Sequence, residues 1–126
     1  VGRGSAFPDI DNDGDLDVFM TQINGPPLLL PNEQRVGHNW LRLKLIGKSS
    51  NHDAIGAWIK VRAGKQTFFR QVMPTRSYLS QSELPVTIGL GEATKIDSVE
   101  ITWPGGAAQK ITPPPVDRLT VITEQQ

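Results

Sequence analysis

The chain has 126 residues, no cysteine, and 13 acidic residues balanced by 13 Lys and Arg. That length suits one domain with a real hydrophobic core. Disulfide and thiol chemistry are excluded, and Lys and Arg are too scattered for a nucleic-acid footprint. Five of the 13 acidic residues fall within residues 9–17, and the remainder of the chain carries a mild basic surplus. No apolar run approaches the length of a membrane span, so membrane insertion is not expected. Twelve Gly and ten Pro, spread along the chain, point to many short turns.

The opening Val1-Gly2-Arg3 has no Met and reads as a start within a longer protein. A Gly-rich stretch then leads into Asp9-Ile10-Asp11-Asn12-Asp13-Gly14-Asp15-Leu16-Asp17. Carboxylates recur at alternate positions, and the sixth position is Gly. A hard cation such as calcium needs six to eight oxygens at about 2.3–2.6 Å, which a loop supplies only by wrapping around the ion. Gly14 permits the sharp turn because it lacks a Cβ. Asp9, Asp11, Asp13 and Asp17 are expected to give side-chain oxygens, and Asp15 its backbone carbonyl. An EF-hand would need Glu at the twelfth position, where Met20 stands. A bare acidic turn would leave five like charges repelling one another. Calcium is preferred to magnesium, which demands strict octahedral geometry. The missing Glu suggests modest affinity, suited to a calcium-rich extracellular setting. The expected role of the ion is structural, fixing the entry of the strand that follows.

Beyond the loop, short Val-, Ile-, Thr- and aromatic-rich runs predict strands near 17–22, 27–31, 39–46, 55–63, 66–74, 85–90, 96–103, 108–112 and 118–123. In Trp40-Leu41-Arg42-Leu43-Lys44-Leu45 the leucines face one way and Arg42 and Lys44 the other. Ala63-Gly64-Lys65-Gln66 reads as a hairpin turn, and Pro104-Gly105-Gly106 ends a strand. Trp40, Trp58 and Trp103 are expected in or near the core. The polar segment 32–38 suggests a boundary. The fold class is therefore all-β: an antiparallel β-sandwich or barrel with an N-terminal Asp-rich calcium loop.

Gly4-Ser5-Ala6-Phe7-Pro8, running on through Asp9–Asp17 to Val18, resembles an FG-GAP/VCBS repeat, the calcium-binding blade motif of integrin-like β-propellers. Four further segments are similar, in their order, to the ASPIC/UnbV domain of cartilage acidic protein-like chains. They are Ser49–Ala57, Ser77-Tyr78-Leu79-Ser80-Gln81, Ile88-Gly89-Leu90-Gly91 and Val99–Gly106. The resemblance implies a partial propeller repeat over 1–34 and an ASPIC/UnbV-like β domain over 35–126. It implies that the preceding propeller of the same chain is a partner, and that the whole protein is secreted or at the cell surface. It carries the metal role onto Asp9, Asp11, Asp13, Asp15 and Asp17, and it carries no catalytic residue.

Other chemistry is thin. His38 and His52 are expected in loops, without the company a zinc site needs. Ser77, Ser80 and Ser82 lack a nucleophile-elbow sequence. Tyr78, in the polar run Arg76–Gln81, either plugs one end of the fold or stacks on a sugar or a partner. The expectation is a non-enzymatic, calcium-binding adhesion or interaction module of an extracellular protein, whose partner is a protein or a glycan. The alternatives are a carbohydrate-binding module using Tyr78 and a calcium-dependent hydrolase.

Overall fold

The computed structural model describes residues 1–125, which form β-strands and loops and no helix. The strands are β1 (Gly2–Ala6), β2 (Val18–Gln22), β3 (Leu28–Leu30), β4 (Asn39–Ile46), β5 (Trp58–Ala63), β6 (Gln66–Gln71), β7 (Thr75–Ser77), β8 (Ser80–Gln81), β9 (Val86–Gly91), β10 (Ser98–Thr102), β11 (Ala108–Ile111) and β12 (Leu119–Thr123). The fold is all-β, as the alternating apolar pattern predicts.

Two sheets face each other and enclose one core. The first has the order β11-β10-β5-β6 and the second β12-β4-β9. Period-2 alternation puts Ile59, Val61 and Ala63 of β5 and Val99 and Ile101 of β10 on the inner face of the first sheet. Leu41, Leu43 and Leu45 of β4, Ile88 and Leu90 of β9 and Ile122 of β12 meet them from the second. The arrangement is a sandwich. Trp103 closes one part of the core, and its indole N–H donates to Gln109 Oε1 at 2.9 Å. The hairpin β5–β6 turns at Gly64-Lys65 with Ala63 paired to Gln66, where Gly64 takes φ +59°. That is a two-residue hairpin loop, as read from the sequence.

Three expectations need correction, and two strand pairings are additions to the sequence reading. Trp58 lies on the outward register of β5 with Lys60 and Arg62 and is 50% exposed, so it is not a core residue. Tyr78 is 68% exposed at the turn of the β7–β8 hairpin and plugs nothing. The Gly-rich start is strand β1, paired with β2, and β7–β8 is a hairpin that no propensity signalled. Finally, not every pair is antiparallel: β12 runs parallel to β4, with Leu119 beside Arg42 and Thr123 beside Ile46. After β11 in the opposite sheet, residues 112–118 carry the chain across so that β12 enters beside β4 in the same direction.

Strand β12 is clamped at both ends. Asp117 N–H donates to Trp40 O at 2.8 Å, and Asp117 Oδ1 accepts from Trp40 N–H at 2.9 Å. Beyond the strand, buried Glu124 accepts hydrogen bonds from the backbone N–H groups of Lys48, Ser49 and Ser50, at 2.8, 2.9 and 2.8 Å, and from Ser50 Oγ. The Ser50 N–H leads in holding the Glu124 carboxyl below its ordinary range, against the opposing effect of burial.

A third sheet, β1-β2-β3, stands at the N-terminal end. Its edge β1 lies against the β7–β8 hairpin, so closely that a Cβ on Gly4 would meet Ser80 Oγ at 2.4 Å. Phe7 N–H donates to Ser82 Oγ at 3.3 Å. The acidic loop connects β1 to β2 and lies over the outer face of β4.

Candidate metal centre

The loop is closed by its own last acid. Asp17 N–H donates to Pro8 O at 2.7 Å, while the Asp17 carboxylate accepts from Ile10 N–H at 2.9 Å and from Asn32 N–H at 2.8 Å. These two backbone donors, Asn32 first, hold the Asp17 carboxyl below its ordinary range. Inside this closure the chain doubles back at Asn12 and Gly14, with φ +61° and +94°. Gly14 is required twice over. Its φ is in the left-handed region, and a Cβ there would meet the Trp40 ring at 2.2 Å.

This turn brings three of the five acids together. One carboxylate oxygen from each of Asp9, Asp11 and Asp13 lies within 4.8 Å of the others. Oxygens on opposite sides of one calcium ion stand about 5 Å apart, so the three can share a single ion. Asp15 and Asp17 are engaged elsewhere: Asp15 Oδ1 accepts from Gln34 Nε2 at 2.8 Å, and Asp17 holds the loop closed. Asp13 Oδ1 also accepts from Asp15 N–H at 2.9 Å.

Asp9 is the buried member, 5% exposed. Its Oδ2 accepts from Gly14 N–H at 3.2 Å and from Arg42 Nη1 at 2.6 Å. Its Oδ1 is buried without a protein partner. A buried carboxylate oxygen with nothing to accept is costly in an apolar setting, and a bound cation would satisfy it. The donor set is hard oxygen throughout, which suits calcium or magnesium and not a thiophilic metal.

Arg42 is the residue that sequence reasoning missed. Alternation places it on the outward face of β4. It does point away from the leucines, but the acidic loop covers it and it is only 4% exposed. Its guanidinium joins Asp9 and Asn12 of the loop to Glu83 at the foot of β9. Burial pushes the Glu83 carboxyl up, and the neighbouring Arg42 charge partly opposes that. Asp9 Oδ1, Arg42 Nε, Glu83 Oε1 and Thr87 Oγ1 are all buried without a partner, and Thr87 is the register neighbour of Arg42. Nothing in the local sequence marks Arg42, because its partners are 33 and 41 residues away. His38 and His52 lie exposed in loops, as expected.

A cleft of about 400 Å³ opens beside this assembly. Phe7, just before the loop, and Leu16, near its end, line it. Arg70 and Gln71 of β6 and Val86 and Thr87 of β9 do likewise, and Glu83 lines it from below.

Geometry thus defines a class: a β-sandwich carrying an acidic, oxygen-only loop fastened to its outer face by a buried arginine. Residues 47–126 match the family model described as ASPIC and UnbV, and the chain belongs to that family. The match begins after β4, so the central strand of the second sheet and the acidic loop both precede it. No curated protein matches the chain.

Proposed function

We propose that this protein is a non-catalytic, calcium-binding β domain that serves as an adhesion or interaction module of a larger extracellular protein. The observation that carries the metal assignment is the convergence of Asp9, Asp11 and Asp13 around a buried oxygen, Asp9 Oδ1, that has no protein partner. Asp15 contributes its backbone carbonyl. Asp17 keeps lone pairs free after its two hydrogen bonds, since a carboxylate has about four acceptor sites. Residues 1–34 are the end of an FG-GAP/VCBS propeller repeat, and residues 35–126 are the ASPIC/UnbV domain. The exposed third sheet supports that division, because Leu28, Leu29 and Leu30 of β3 pack into no core among the described residues. The preceding propeller of the same chain is the partner we assign to it.

The test is calcium titration by calorimetry, with a melting curve at each calcium concentration, on the wild type and on Asp13→Ala. Saturable binding with a raised melting temperature is expected, both lost in the variant and both much weaker with magnesium. Absence of heat and of stabilisation in the wild type would overturn the calcium reading.

One observation favours a second reading. Tyr78 and Leu79 stand 68% and 88% exposed at a hairpin tip, where an aromatic ring can stack on a sugar. Retention on a glycan array, lost in Tyr78→Ala, would establish a carbohydrate-binding module. A hydrolase has less support. The cleft offers Glu83 with a raised carboxyl, but glycoside hydrolysis needs a pair of carboxylates. Its described lining contains no second acid and no histidine.

A further inference from the structure

From the cleft we infer that this domain holds an extended, acidic peptide segment along the outer edge of β6, where that edge approaches β9. The inference rests on the interaction-module reading and supplies the chemistry of the partner. Strand β6 ends the first sheet and β9 ends the second, and both contribute to the cleft. A terminal strand presents a row of unpaired backbone N–H and C=O groups, the template on which an extended chain adds as a further strand. A volume of about 400 Å³ is within the range of ligand sites and takes a few side chains. Phe7, Leu16, Met73 and Val86 give it an apolar lining, and the first three of these are exposed.

Charge selects the partner. Arg70 and Arg76 stand exposed in the cleft wall. Each makes one hydrogen bond to a backbone carbonyl, Arg70 Nη1 to Phe69 O at 2.9 Å and Arg76 Nε to Met73 O at 3.0 Å. Neither has a salt-bridge partner among the described residues. A guanidinium has five N–H donors, so most of their capacity is left for an outside acceptor, and a carboxylate is the strong one. The one acid in the lining, Glu83, is already bound by Arg42. An alternating peptide sets apolar side chains into the cleft and acidic ones toward the arginines.

The experiment is fluorescence anisotropy, in calcium buffer, with a labelled octapeptide of alternating Glu and Val and with its Lys/Val and Gln/Val counterparts. The Glu/Val peptide should bind saturably and the Lys/Val peptide should not. The Arg70→Glu/Arg76→Glu variant, changed only at exposed positions, should keep its melting temperature, lose about tenfold or more in affinity for Glu/Val and gain affinity for Lys/Val. Amide hydrogen exchange over residues 68–71 should slow when Glu/Val is bound. Equal binding of all three peptides, no binding of any, or binding without protection of those amides would overturn the inference. Because calcium heat is measured separately, loss of peptide binding with calcium binding intact refutes the cleft assignment alone.

Discussion

Arg42 does at the residue scale what a bound cation would do at the loop. It neutralises Asp9 from below while leaving Asp9 Oδ1 unpartnered. Breaking a buried ion pair leaves its partners charged and desolvated, at a cost of about 3–5 kcal/mol. Arg42→Met is therefore expected to lower stability by about that amount in urea unfolding without calcium. Saturating calcium should return part of the loss, because the ion compensates Asp9 though not Glu83. Two other carboxylates contribute to the acid limb of stability. Asp17 and Glu124 are both held below their ordinary values of 3.8 and 4.5 in the folded state. Their contribution is complete above those values and is lost as pH falls through the depressed folded ones. Urea midpoints measured from neutral pH downward should fall below about pH 4.5, and Asp17→Asn combined with Glu124→Gln should flatten that slope. The sequence displayed the Asp ladder because metal loops place ligands at short, fixed spacing. It could not display Arg42, Glu83 or Glu124, whose partners arrive only through the fold.

At the scale of elements, the acidic loop and strand β4 are built against each other. Trp40 packs on Gly14 and exchanges hydrogen bonds with Asp117, so one residue touches both the acidic loop and the entry to β12. Gly14→Ala combines a strained φ with a ring in the way. It should cost at least about 1–3 kcal/mol from the backbone alone and abolish the calcium heat. Chemical denaturation and calorimetry on the same variant check both parts. Strand positions were legible wherever alternation was strong: β4 lies at residues 39–46 as read from the sequence, and β9 to β12 fall within a residue or two of expectation. The hairpin β7–β8 was not legible, since Thr75–Gln81 is polar and short, and its pairing depends on β1 lying alongside. The exposure of Trp58 was legible in principle, because its parity matches Lys60 and Arg62 and not Ile59. Register, not aromatic size, decides which face a strand side chain takes.

For the molecule as a whole, the second sheet is completed only by its last strand. Leu119–Thr123 pair with Arg42–Ile46, so the central strand acquires one of its two neighbours from the far end of the chain. Removing residues 117–126 would take away β12, the Asp117 clamp on Trp40 and the Glu124 clamp on residues 48–50. Such a truncated chain is expected to lose cooperative thermal unfolding, which circular dichroism with temperature would read. The parallel pairing was beyond sequence reading because alternation fixes which face a strand buries and not which way it runs.

That closing strand also imposes an order on biosynthesis. On the ribosome β4 emerges before β12, and until residues 119–123 are free to pair, β4, which carries Leu41, Leu43 and Leu45 on its inner face, has an open edge. An unpaired, apolar strand edge recruits other chains. A chain whose synthesis stops before β12 would therefore keep that edge open.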